Sequence, residues 1–252
     1  MGIEWRYRLM PATLGLLASS KVVATGPIPP TVAGLLMWYD ATAAATIEFG
    51  VSPKVLAWND LGPNNWRFFN TYTPEQPNLV LGGLKTGLNS VEFPNENYAL
   101  NGPASSGANQ KPLTAFAVVK HTGAARDRAM IGTVYDNGFL WEIRPDNRQL
   151  VNQHNVANIG NSTSVVPSNV TVILCVTYSA TGVLSFYLNN VADGVTTNDK
   201  ALTASTPQAR IGTGGGGHQG FVGTIGEVIK YNTVLSSGDQ TTIHTYLAAK
   251  WL

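Results

Sequence analysis

The sequence predicts an all-β protein: a two-sheet antiparallel jelly-roll sandwich with one C-terminal helix and an extended N-terminal arm. Three features predict it. Short apolar runs broken by turn residues recur from Val32 almost to the end of the chain; no helix-length periodic segment lies between them to serve as a βαβ crossover; and helical spacing appears only after Ser236. The 26 glycines and 14 prolines in 252 residues suit many tight turns, and with only 12% charged residues the surface has to be wetted by Asn, Thr, Ser and Gln. This length fits one sandwich. The chain divides into an arm over residues 1–32 and one domain over 33–252.

The arm carries Trp5, Tyr7, Leu9, Leu14, Leu16 and Leu17 and ends in the stiff Gly26-Pro27-Ile28-Pro29-Pro30. Such side chains are costly to leave in water, so the arm is expected to anchor the protein by packing on another chain; the alternative is an arm folded back over its own sandwich. Arg6 and Arg8 before a mildly apolar stretch resemble a weak secretion signal, but Pro11 and Gly15 interrupt it. The stretch is too short to span a bilayer, and no membrane span is expected.

In the body, strands are expected at 34–39, 55–58, 66–69, 78–81, 90–93, 113–120, 128–132, 139–143, 171–178, 183–188, 209–212 and 221–231. Turn chemistry separates them at Leu61-Gly62-Pro63-Asn64-Asn65, Asp136-Asn137-Gly138 and Ala180-Thr181-Gly182. Residues 114–119 and 171–176 are continuously apolar and β-branched, which marks central strands covered on both faces. Residues 184–188 instead alternate and then meet Asn189-Asn190, the pattern of a hairpin with Phe186 and Leu188 inward and Tyr187 pointing the other way. The closing helix is expected to start from a capping box of Ser237 with Gln240. Ile243, Tyr246, Leu247 and Trp251 line one of its faces. A helix this short is marginal alone, so that face has to dock on the sandwich.

Composition also narrows the chemistry. A formal net charge of +1 gives little field to attract a polyanion, so nucleic acid is not an expected partner. The single cysteine, Cys175, lies in an apolar run and cannot form an intrachain disulfide. His121, His154, His218 and His244 are scattered without ligand spacing, which argues against zinc. The loop Thr213-Gly214-Gly215-Gly216-Gly217-His218 precedes a strand and lacks a P-loop lysine, so it does not read as a phosphate cradle. No cofactor is expected.

The segment from Ile211-Gly212 through Phe221-Val222-Gly223-Thr224-Ile225-Gly226-Glu227-Val228-Ile229-Lys230-Tyr231 to Tyr246-Leu247-Ala248-Ala249-Lys250-Trp251, together with Gly34-Leu35-Leu36-Met37-Trp38-Tyr39-Asp40-Ala41, resembles the concanavalin A-like lectin/glucanase superfamily. The resemblance is strongest to the laminin-G-like and pentraxin-like domains common in bacterial and phage proteins, and it spans positions 33–252. It implies a last strand, a tight exit and a closing helix. It also implies that Glu227 is structural, bonding between sheets or to the helix; Trp38, by its strand pattern, and Leu247 and Trp251, by their helix spacing, are read as structural too. Calcium is the family's usual metal. Asp40, Asp60, Asp127, Asp136 and Asp146, with Asn59 and Asn137, are oxygen donors, but they form no dense acidic cluster, and no metal site is assigned.

Hydrolysis of glycosides needs two carboxylates about 5–5.5 Å or about 6.5–9.5 Å apart. The nearest acids, Glu142 and Asp146, are separated by Pro145, which ends the strand pattern, so the family's catalytic pair is missing; Glu92 and Glu96 flank Pro94 and serve no better. The chain is therefore read as non-catalytic. For sugar binding, the candidates are Trp66, Tyr72, Tyr135 and His218, helped by Asn-rich loops at 95–101 and 152–161, whereas Trp38, Trp58 and Trp141 belong to strand patterns and read as packing. The functional expectation is a homo-oligomeric virion component, a capsid decoration or tail-associated protein of a phage, anchored to its neighbours by the arm and displaying a lectin-like domain to host glycans. The alternative is an extracellular, secreted or surface carbohydrate-binding protein.

Overall fold

A computed structural model describes residues 32–104, 111–123, 128–134, 138–153, 157–200, 202, 208–213 and 219–252. All of the arm but Val32 therefore lies outside the described residues, and so do Tyr135 and His218. The described chain begins with β1 (Leu35–Asp40), β2 (Ile47–Phe49), β3 (Val55–Asn59), β4 (Arg67–Phe69), β5 (Asn78–Leu81) and β6 (Asn89–Phe93). It continues through β7 (Leu100–Ala104), β8 (Leu113–His121), β9 (Arg128–Val134), β10 (Phe139–Ile143), β11 (Gln149–Gln153) and β12 (Ala157–Asn161). The last third holds β13 (Val172–Tyr178), β14 (Val183–Leu188), β15 (Val191–Thr197), β16 (Gln208–Ile211), β17 (Gln219–Gly220), β18 (Gly223–Tyr231) and the helix α1 (Ser237–Trp251).

These strands form two sheets packed face to face, the predicted jelly-roll sandwich. One runs β15-β14-β13-β8-β18-β6-β5 with β1 also on β18; the other runs β12-β11-β10-β9-β16-β7-β4-β3-β2. All the ladders are antiparallel except the short β17–β9 pair. In the first sheet β8 and β13 are central, as their continuous apolar runs predict. Their inward side chains, Ala115, Ala117, Val119, Leu174 and Val176, enter the core between the sheets, and Phe116, Val118, Ile173 and Cys175 face outward beneath α1. β18 is buried along all nine residues. A bulge at Gly226 breaks its register, so that one side pairs with β6 through Gly223–Ile225 and with β1 through Glu227–Tyr231.

The hairpin β14–β15 turns on Asn189 and Asn190, both at positive φ (49° and 66°), which the asparagine side chain tolerates. Phe186 faces the core and Tyr187 the helix side. The helix buries Ile243, Tyr246, Leu247 and Trp251 against the first sheet, each full burial of this kind contributing about 1.5–3 kcal/mol. Its cap is one residue earlier than the spacing suggests. Ser236 Oγ accepts from the Asp239 amide at 3.1 Å and donates to Asp239 Oδ2 at 2.7 Å, while Gln240 uses Nε2 to reach the Leu235 carbonyl at 2.9 Å. Two adjacent serines each have a polar residue three positions on, and only the docked helix decides between them.

Sequence reasoning missed β2, β7, β11, β12, β15 and β17. β12 and the end of β11 lie in the stretch read as an Asn-rich loop, and Asn101 at the end of the other such stretch lies in β7. Their Asn, Gln, Gly and Pro content has low strand propensity. They are held instead by pairing with strands already formed, β11 on β10 and β7 on β16.

Candidate functional site

A buried polar cluster joins α1 to the first sheet. Glu227, 1% exposed, accepts four hydrogen bonds: Trp38 Nε1 (2.7 Å) and Tyr246 Oη (2.9 Å) on Oε1, and Lys250 Nζ and Trp251 Nε1 (both 2.8 Å) on Oε2. Lys250 also pairs with Asp40 Oδ2 at 2.6 Å. Burial and the Asp40 charge push the Glu227 carboxyl up, and Lys250 and Trp251 pull it back. With its hydrogen-bonding capacity committed to the helix and β1, this carboxylate fastens the closing helix to the sheet.

Of the predicted binding residues, the two that are described, Trp66 and Tyr72, do not converge. Trp66 packs half-buried against the core, and its carbonyl accepts from Tyr39 Oη (3.1 Å) and the Asp60 amide (2.9 Å). Tyr72, 59% exposed, lies beyond the opposite end of β4 from Trp66. Trp58 and Trp141 are fully buried in the core. Glu142 points outward from β10 and is buried, whereas Asp146 lies past the strand end, where it accepts from the Arg148 amide and pairs with Arg144 and Arg148. Among the described residues, no three His, Cys, Asp or Glu side chains gather as a metal cage needs. Asp60 instead accepts from the amides of Trp38 and Gly62, both at 2.7 Å, and Asp40 binds Thr42 and Lys250.

What the fold does assemble is a transverse row on the outer face of the ten-stranded sheet. Strand alternation sends Phe68, Leu100, Ala209, Ile211, Ile131 and Trp141 into the core, so their neighbours face out. Register then aligns Glu48, Ala57, Phe69, Asn101, Arg210, Gly132, Leu140, Asn152 and Asn158 from one edge to the other. Phe69, Asn101, Arg210 and Asn152 are half-buried. Arg67 lies over the Phe69 ring at 5.0 Å and is held by Glu48 through two hydrogen bonds of 3.0 and 2.7 Å. The side-chain oxygens of Asn101 and Asn152 are buried and accept no hydrogen bond among the described residues. Arg210 Nη2 donates to Gln208 Oε1 at 3.5 Å. At the centre, the fully buried Leu140 lies where a Cβ on Gly132 would be, so glycine there makes room for it.

Asn101, Asn152 and Asn158 lie in the Asn-rich stretches expected to help sugar binding, but Phe69 and Arg210 were not singled out from sequence. A polar residue between core residues, as in Ala209-Arg210-Ile211, signals an outward side chain. Its pairing with Asn101, more than a hundred positions earlier in the chain, is not written in any local pattern.

A two-sheet antiparallel jelly roll with one C-terminal helix docked on it is a lectin-like fold. The chain belongs to the concanavalin A-like lectin/glucanases superfamily, whose profile matches residues 91–239, more than half its length. No curated protein sequence matches it. Among solved structures it is similar to Trypanosoma rangeli sialidase at 12% identity and a TM-score of 0.54, covering 87% of this chain and 33% of that one. The same enzyme in complex with sialic acid gives 13% identity and 0.55, covering 89% and 36%. Ruminococcus gnavus IT-sialidase CBM40 bound to alpha2,3 sialyllactose gives 12% and 0.52, covering 62% of this chain and 95% of that one. At such identity the likeness is one of fold, and the chain spans about a third of the sialidase chains.

Proposed function

We propose that this chain is a non-catalytic glycan-binding module whose ligand lies along the row on the outer face of the ten-stranded sheet. The observation that carries this reading is the pair of buried amide oxygens of Asn101 and Asn152, unpartnered among the described residues, on the same face as Phe69 and Arg210. Buried acceptors are normally satisfied, and sugar hydroxyls are donors of the right kind. Phe69 adds an apolar ring against which a pyranose packs. Fold relatives that include a sialidase CBM40 bound to alpha2,3 sialyllactose support a sugar as ligand. The separation of Glu142 from Asp146 by the strand end supports binding without hydrolysis.

The test is a glycan array probed with the full chain, followed by calorimetric titration of the strongest sugar into wild type, Phe69→Ala and Asn101→Ala. Affinity is expected to fall at least about tenfold in each variant, roughly the value of one lost hydrogen bond or ring contact. Absence of any retained sugar on the array refutes the reading.

In the same proposal the module is displayed on a larger assembly, a virion being the form expected from sequence, and weak single-site affinity is multiplied by repetition. Support for display comes from the apolar content of residues 1–30. If residues 1–30 are deleted and the remaining chain still enters its native particle in full, the display proposal fails.

A further inference from the structure

We infer, resting on that glycan reading, that the row ends in a subsite for an uncharged sugar ring, where the Glu48–Arg67 ion pair takes two neighbouring ring hydroxyls. The pair joins β2 to β4 beside Phe69, and Ala57, on the strand it crosses, is fully buried. The pair itself stays open to water: the Arg67 and Glu48 side chains are 41% and 42% exposed, so a ligand reaches both. Its geometry is fixed from several sides. Arg67 lies over the Phe69 ring at 5.0 Å, Asn59 Nδ2 donates to Glu48 Oε1 at 2.9 Å, and the two charged groups share bonds of 3.0 and 2.7 Å. A pair held this way loses little freedom when a ligand arrives.

Hydrogen-bonding capacity is left over on both partners. Of the five N–H donors of the Arg67 guanidinium, only one on Nε and one on Nη2 are engaged among the described residues, and Glu48 Oε2 accepts only from Nη2. Hydrogen bonds from Arg67 and then Asn59 hold the Glu48 carboxyl down at about 2, so it is an ionised acceptor at any ordinary pH. One hydroxyl therefore donates to Oε2 while its neighbour on the ring accepts from Arg67, both charge-assisted bonds. Charge decides the class of sugar. A ligand carboxylate placed here would find an arginine already engaged and a glutamate that repels it, whereas hydroxyls use both partners. A ring lying against Phe69 has the ion pair on one side and, on the other, Asn101, whose buried oxygen needs a donor.

The full chain would be titrated at low salt with lactose, cellobiose and mannobiose, and with the counterpart of each in which C6 of the non-reducing ring is oxidised to a carboxylate. At least one neutral disaccharide is expected to bind, about fivefold or more tighter than its acid counterpart. Two variants move that ratio in opposite directions. Glu48→Gln frees Arg67 and is expected to turn the preference towards the acid; Arg67→Met leaves Glu48 unopposed and is expected to widen the preference for the neutral sugar while weakening both. A merely structural role would lower both affinities together. The comparison of neutral and acidic sugar on unaltered protein stands even if a variant folds poorly. Equal or tighter binding of the acid by wild type, a ratio unmoved by Glu48→Gln, or no binding of any neutral disaccharide overturns the subsite. A sugar retained on the array and weakened by Phe69→Ala then leaves the glycan reading in place, and an empty array overturns both.

Discussion

Replacing Glu227 by glutamine keeps the shape of the side chain but changes one of its two terminal oxygens into a donor, at the point where α1 meets the first sheet. The carboxylate receives four donors, two on each oxygen. Whichever way the amide is turned, one pair faces an N–H2 group: Trp38 and Tyr246, or Trp251 and Lys250. The tyrosine hydroxyl can rotate and accept, and Lys250 keeps Asp40, but an indole N–H loses its acceptor in either case. Hydrogen bonds to a charged group contribute about 1.5–3 kcal/mol, and a buried donor left unsatisfied costs about 1–3 kcal/mol. The expected loss is therefore about 3–5 kcal/mol, similar to breaking a buried ion pair. In a domain of this size that corresponds to a melting temperature lowered by roughly 6–20 °C. Urea and thermal unfolding followed by tryptophan fluorescence measure it directly, since Trp38 and Trp251 are both partners. A melting temperature within about 2 °C of wild type would refute the reasoning and remove Glu227 as the fastening of the helix.

Other perturbations test other parts of the structure. Ser236→Ala should cost about 1 kcal/mol in chemical denaturation and Ser237→Ala much less; the reverse order would restore the cap to Ser237. Ala at Gly226 would place a Cβ 2.6 Å from Leu84 and 2.7 Å from the Trp251 ring, so Gly226→Ala should cost about 1–3 kcal/mol and alter the near-ultraviolet signal of Trp251. Lys230 is 1% exposed in the core, with its ammonium 4.9 Å from the Phe139 ring, and burial pulls its pKa down to about 7 from 10.5. Between those values the unfolded chain holds a proton that the folded chain has released, so stability should rise as pH increases from about 7 to 10. Lys230→Met should flatten this slope, worth at most about 5 kcal/mol, and an identical pH profile in the two proteins would show that burial does not control this amine.

The fold class was legible because it depends on short-range patterns. The alternating run at 184–188, the positive-φ Asn189-Asn190 turn and the helical spacing of Ile243, Tyr246, Leu247 and Trp251 each express a backbone preference and a burial pattern within a few residues. Continuous apolar runs marked β8 and β13 as central, because only strands covered on both faces need them. The strands built from Asn, Gln and Gly were not legible, since their conformation is imposed by neighbouring strands rather than by their own propensity. Tertiary structure also decided the site. Phe69, Asn101, Arg210 and Asn152 come from four strands scattered over more than half the chain, and they meet because register, a property of pairs of strands, aligns them on one face. Local sequence determines which way each of these side chains points; only the closing of the sheet determines which others it points beside.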